Sequence, residues 1–190
     1  MNAFSNAIRA AAIAAIAVTG TVAVTSPSFA KTVMVGGAPM YPNKTIVENA
    51  STAKDLTTLV AAVKAAGLVE TLSGPGPFTV FAPTNAAFAK LPKGTVETLV
   101  KPENKKTLTA ILTYHVLPGH VSAADIVAAV KKGGGKAEFK TVNGESLTFM
   151  VKGKTVWIMD AKGGKSKVTI PNVEQSNGVV HVIDTVLLPG

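Results

Sequence analysis

Between Thr52 and Gly67 the apolar side chains Leu56, Leu59, Val60 and Val63 fall at i, i+3, i+4 and i+7, which predicts an amphipathic helix with one buried stripe. Thr52 and Asp55 at its start have the spacing of a capping box, with Asp in place of Glu, and Gly67 is a helix stop. A short helical turn over LVETLS then meets the Gly74-Pro75-Gly76-Pro77 break. Phe78–Ala82 is dense in β-branched and aromatic residues and predicts a strand ended by Pro83, after which Thr84 or Asn85 caps a short helix over 85–91. Pro102 and Glu103 open the next helix, with Leu108, Ile111 and Leu112 as its stripe. Ser122 and Asp125 open another, with Ile126, Val127 and Val130 inward and Lys131, Lys132 and Gly133 closing it.

After Gly135 the period changes from 3.6 to 2. Asn143-Gly144 is a hairpin signal between strands over 137–142 and 145–151, where Leu147, Phe149 and Val151 alternate with polar neighbours. Further strands are predicted over 155–160, 168–170 and 179–187, separated by Gly/Lys or Asn-Gly turns. Helices come first and strands cluster late, so the fold class is α+β, in a single domain without internal repeats over 44–190. Leu59, Val63, Phe81, Phe88 and Ile111 are its expected core residues. Lys31–Asn43, punctuated by Gly and Pro, reads as an extended N-terminal arm.

Residues 1–30 stand apart. A polar start with Arg9 precedes an apolar run over Ala10–Val24, and Ser28-Phe29-Ala30 places small residues where a signal peptidase reads. An apolar run that short, interrupted by Gly20, falls below the roughly 20 residues a membrane span needs. A signal peptide over 1–30 and export to the periplasm or beyond are therefore expected, with an uncleaved anchor as the alternative.

Three blocks carry a resemblance. Phe78–Phe88 reads FTVFAPTNAAF, Leu112–Gly119 reads LTYHVLPG, and Asn177–Pro189 reads NGVVHVIDTVLLP. In this order and spacing they resemble the signature stretches and central Tyr-His of a fasciclin (FAS1) domain, over about residues 44–189. The leader and the Ala/Lys-rich composition suit a secreted, single-domain bacterial member. The resemblance implies a twisted β-sandwich-like wedge flanked by several helices, and a role in adhesion or binding outside the cytoplasm rather than in chemistry. It also implies a partner contact around Tyr114, His115, Val116 and Leu117. Adjacent residues of a strand face opposite sides, so one ring can be buried while the other is presented; both can equally be core residues with internal hydrogen bonds.

Charge adds a second candidate surface. Beyond residue 30 the chain has 18 Lys, no Arg and 11 acids, a net of +7. Nine of those Lys and three of the acids lie in 131–167, a net of +6 in the strand-rich half. Lys152, Lys154 and Lys165 represent a basic surface able to hold anionic polysaccharide, lipid headgroups at a membrane surface, or an acidic protein. The same lysines can instead serve solubility and deter edge-strand pairing. Without arginine's planar fork, bidentate reading of bases or phosphates is missing, and specific nucleic-acid recognition is not expected.

Chemistry finds little footing. The absence of cysteine excludes thiol catalysis and thiolate metal sites. His181 and Asp184, three apart in a strand pattern, point to opposite faces, and no Gly-x-Ser-x-Gly elbow accompanies them. Ser51-Thr52-Ala53-Lys54 lacks the other elements of a Ser-x-x-Lys enzyme. Gly153-Lys154-Thr155 and Gly164-Lys165-Ser166 end like phosphate loops but have Thr148 and Met159 where the first glycine belongs. The three His are scattered, so no metal or other cofactor is expected. Asn43 and Asn49 head Asn-x-Ser/Thr glycosylation sequences. The expected function is an exported, non-enzymatic binding domain for a cell-surface or matrix protein or an anionic polysaccharide. The rivals are a structural envelope component and a periplasmic hydrolase.

Overall fold

A computed structural model describes residues 32–190; the expected signal segment lies outside them. Strands β1 (Val33–Val35) and β2 (Ala38–Met40) form a hairpin about Gly36-Gly37, both at positive φ. Val35, Ala38 and Met40 are buried, so the stretch expected as an extended arm folds back on itself and docks one face on the core. Short helix α1 (Ile46–Ala50) starts at a capping box in which Thr45 accepts from the Glu48 amide and Glu48 accepts from Thr45.

The box expected at Thr52 and Asp55 does not form. The Thr52 hydroxyl donates to the Asn49 carbonyl at 2.7 Å, finishing α1, and a 3-10 turn over Lys54–Leu56 leads into α2 (Thr57–Ala66). Gly67, at φ 73°, ends α2 with its amide on the Lys64 carbonyl and the Leu68 amide on that of Val63, a Schellman arrangement. Then follow α3 (Val69–Ser73), β3 (Phe78–Pro83), α4 (Asn85–Ala89), α5 (Thr95–Leu99), α6 (Lys105–Tyr114), β4 (Val116–Pro118) and α7 (Ala123–Lys132). Thr84 caps α4, and α7 has a capping box from Ser122 and Asp125.

The strand-rich half contains β5 (Lys136–Lys140), β6 (Ser146–Lys152), β7 (Thr155–Met159), β8 (Lys165–Gln175) and β9 (Gly178–Ile183). Seven strands form one mixed sheet in the order β4-β3-β9-β8-β7-β6-β5. Its one parallel pair is β3 and β9, next to the β4 edge and in register from Phe78↔Gly178 to Pro83↔Ile183; all other pairs are antiparallel. The first and last sequence blocks of the resemblance are therefore hydrogen-bonded neighbours. Both strands are apolar runs buried on both faces, as parallel strands generally are.

Two apolar clusters lie on the two sides of this parallel pair. One joins Val80, Val180 and Val182 to the stripes of α2 and α6, Leu59, Val63, Leu108 and Ile111 among them. The other joins Phe81 and Ile183 to Leu147, Phe149, Val156 and Ile158 of the outer sheet and to Ile126 and Val130 of α7. The sheet curls far enough that the Val142 amide donates to the Val116 carbonyl at 2.8 Å, bringing the β5 end toward β4 and nearly closing a barrel. The result is an α+β wedge with seven α-helices among the described residues.

Candidate functional site

Tyr114 ends α6 and His115 is the junction to β4. The two rings do face opposite sides, but both sides are interior. Tyr114 lies in the cluster with Phe81 and Phe149, and His115 lines a small apolar cavity against Leu59, Val63 and Leu72. Relative exposures are 0% for Tyr114, 2% for His115, 6% for Val116 and 1% for Leu117. As folded, these four side chains offer no contact surface; the chain emerges only at Pro118. β4 is covered on both faces, so a partner contact at these residues would require the segment to open.

Their polar atoms have internal tasks. The Tyr114 hydroxyl donates to the Ser146 carbonyl at 3.1 Å and accepts from the Ala161 amide at 3.0 Å, linking the start of β6 to the turn after β7. The Leu187 amide donates to His115 Nε2 at 3.0 Å, which puts the ring proton on Nδ1, where it faces the Ile111 carbonyl at 2.8 Å. Burial pushes the His115 pKa down from 6.5 to about 4, so the ring is neutral. His115 thereby ties α6 to the segment after β9.

Asn177, which the sequence reading did not single out, is a second tie. Its Oδ1 accepts from the Ile46 amide at 3.0 Å, and its Nδ2 donates to the carbonyls of Leu72 at 2.8 Å and Gly74 at 3.0 Å. Beside it, a Cβ on Gly178 would lie 1.9 Å from the Phe78 carbonyl oxygen, so only glycine permits β9 to start against β3. The Asn-Gly pair was read as a turn signal; here it also locks the parallel register.

His181 and Asp184 form no dyad. His181 is buried, stacked on Phe81 at 5.5 Å, with Nδ1 accepting from the Asn172 amide and Nε2 on the Val121 carbonyl at 3.0 Å. Asp184 accepts from the Lys167 amide at 2.9 Å and pairs with Lys90 at 3.5 Å. The Ser51 hydroxyl, just past the end of α1, donates to the Val47 carbonyl. Asn49 is buried with its amide on Tyr41 and Gln175, so of the two glycosylation sequences only that of exposed Asn43 is reachable. No group of three or more His, Asp or Glu able to hold a metal ion occurs among the described residues.

The lysines present a different picture. Paired residues of antiparallel strands point to one side, so Lys136, Met150, Trp157 and Lys167 form one row across the outer face of β5–β8. Glu138, Thr148, Met159 and Lys165 form the next. Lys152 sits over the Trp157 ring at 5.8 Å from its centroid, a cation–π contact. Lys154, in the β6–β7 turn, instead lines an open groove beside α7, together with Lys131 and Lys167. The three sequence candidates thus divide, Lys152 and Lys165 on the sheet face and Lys154 at the groove. The alternation Lys165-x-Lys167 in β8 was the available signal for Lys167, whereas Lys131 arrives by tertiary packing of α7.

Among the described residues no helix is long and apolar enough to cross a membrane. Comparison with known proteins places this geometry. A Synechocystis protein is 51% identical over 159 residues, covering 84% of this chain and 81% of its own length. The cell surface glycolipoprotein MPB83 of Mycobacterium bovis is 36% identical, with 70% of this chain and 56% of that protein covered. Among solved structures, a FAS1 domain pair from the insect cell adhesion molecule Fasciclin I superposes with a TM-score of 0.68 at 22% identity, covering 77% of this chain and 51% of that one. The sequence profile of the Fasciclin domain matches residues 54–189, and the chain belongs to the fasciclin domain family.

Proposed function

We propose that the protein is an exported, non-enzymatic binding domain that attaches to a cell-surface or extracellular-matrix partner. The observation that carries this reading is the match of the Fasciclin domain over 54–189, in a family whose members include an insect cell adhesion molecule and a mycobacterial cell surface glycolipoprotein. The fold supports it physically. Tyr114, His115, His181 and Asp184, side chains of the types that serve chemistry, are spent on internal hydrogen bonds that hold elements together. The exposed chemistry is a lysine-rich sheet face and groove, suited to holding a partner through charge and area.

The test is a pull-down with the immobilised protein from envelope and extracellular extracts, repeated at rising salt. Specific retention of a surface or matrix component, weakening as salt screens the lysines, is the expected result. Retention no greater than on immobilised albumin would contradict the reading.

A further inference from the structure

β8 pairs with β7 only from Met159↔Lys165 to Trp157↔Lys167, then changes partner at Val168, which faces Ile183 of β9. Irregular register between Val168 and Ile170 accompanies the change. Thr155 and Val156 of β7 are left without a β8 neighbour, and α7 lies along the gap. The opening is a groove of about 630 Å³, within the size range of small-ligand sites. Lys131 from α7, Lys154 from the β6–β7 turn and Lys167 from β8 line it, and no Asp or Glu does. The ion pairs recorded among the described residues are Lys90–Asp184 and His120–Glu174, so none of these three ammonium groups has a carboxylate partner there. Three unpaired cations around one concavity form a positive field that an anion relieves.

Resting on the adhesive reading above, we infer that this groove is the binding site for a segment of acidic polysaccharide, running from the groove past Lys167 onto Trp157. The shape selects a chain over a bilayer, since a concave site admits an extended polymer whereas a planar membrane cannot enter it. Trp157 lies outside the groove, but Lys167, which lines it, is directly paired with Trp157 across β8 and β7, so the groove's Lys167 edge adjoins an aromatic ring. That ring lies under the Lys152 ammonium, so an acidic sugar arriving there meets a cation for its acid group and, on displacing it, an apolar platform for its C–H face, a pairing with no counterpart in recognition of an acidic peptide by charge alone. Lysines without arginine are compact point charges that accept carboxylate or sulfate in many orientations, as a flexible polyanion requires.

Trp157 is the one tryptophan of the chain, which makes its fluorescence a site-specific readout. Heparin and polygalacturonate are titrated into the parent, into Lys131→Glu/Lys154→Glu/Lys167→Glu, and into a control with equal charge change, Lys93→Glu/Lys101→Glu/Lys106→Glu. Melting curves confirm that each variant is folded. The inference expects a saturable emission change in the parent, a midpoint raised about tenfold or more in the groove variant, and a shift of about twofold or less in the control. Equal weakening in both variants would show that net charge acts, not the groove, and overturn the inference. So would tighter binding of poly-glutamate, or of vesicles of equal parts phosphatidylglycerol and phosphatidylcholine, than of either polysaccharide. Cell attachment to coated surfaces separates the two levels. A groove variant that attaches cells as well as the parent removes the groove and leaves the adhesive reading. A parent that attaches none removes the adhesive reading, and the fluorescence titration alone then decides the groove.

Discussion

At the scale of single residues, the family's Tyr-His pair is a pair of internal ties. Tyr114→Phe keeps the ring in its cluster but removes the link between the Ser146 carbonyl and the Ala161 amide, and it should cost about 1–3 kcal/mol in denaturant unfolding. His115 makes stability depend on pH. Its folded pKa of about 4 lies below the unfolded value of 6.5, so the unfolded chain binds the proton more readily. The contribution is complete above about pH 6.5 and is lost as pH falls toward about 4, on the order of 3 kcal/mol in all. His181, also pushed down by burial, adds in the same direction. Unfolding at about pH 7 and about pH 4.5 should therefore show a smaller acid loss in His115→Gln than in the parent. Identical losses would remove His115 from the account. The alternate facing of the two rings was legible in the sequence; that both faces are covered was not, because α6, β9 and the outer sheet meet there only in the folded chain.

At the scale of elements, periodicity carried most of the fold. The stripe through Leu59 and Val63, the strand at Phe81, the helix at Phe88 and the stripe at Ile111 are all buried as expected. Leu59→Ala should destabilise by about 2–5 kcal/mol through lost packing and the void left behind. A thermal midpoint unchanged within error would contradict that packing. Local chemistry was harder to read. Thr45 with Glu48 and Thr52 with Asp55 have the same spacing, and only the first is a capping box, since the chain at Thr52 is finishing α1. Helices α1 and α5, each of five residues, are too short to show a period. β8 extends past Pro171 because a bulge there, with Asn172 at φ 54°, takes the residue lacking an amide hydrogen out of the ladder. The parallel pairing of β3 with β9 depends on partners a hundred residues apart, which no local pattern encodes. Its dependence on Gly178 is open to test: Gly178→Ala should abolish the folded state at growth temperature, as read by loss of cooperative unfolding.

At the scale of the whole molecule, the domain is a wedge whose interior uses buried aromatic and histidine side chains for support and whose strand-rich outside has most of the excess positive charge. The charge bias was visible as nine lysines within 131–167, but its division between a sheet face and a groove follows from where β8 leaves β7. Export is expected to remove residues 1–30 and leave Lys31 at the N-terminus, which intact-mass analysis of the secreted protein checks; a form retaining Met1 in the envelope would indicate an anchor instead. The central claim is that the folded domain attaches to surfaces through its exterior and not through chemistry. Its most direct measurement is retention of cells of the source organism on surfaces coated with the secreted protein, under flow and across a salt series, against an albumin coating. The account predicts retention well above albumin that falls as salt rises. Retention equal to albumin at every salt concentration would contradict it.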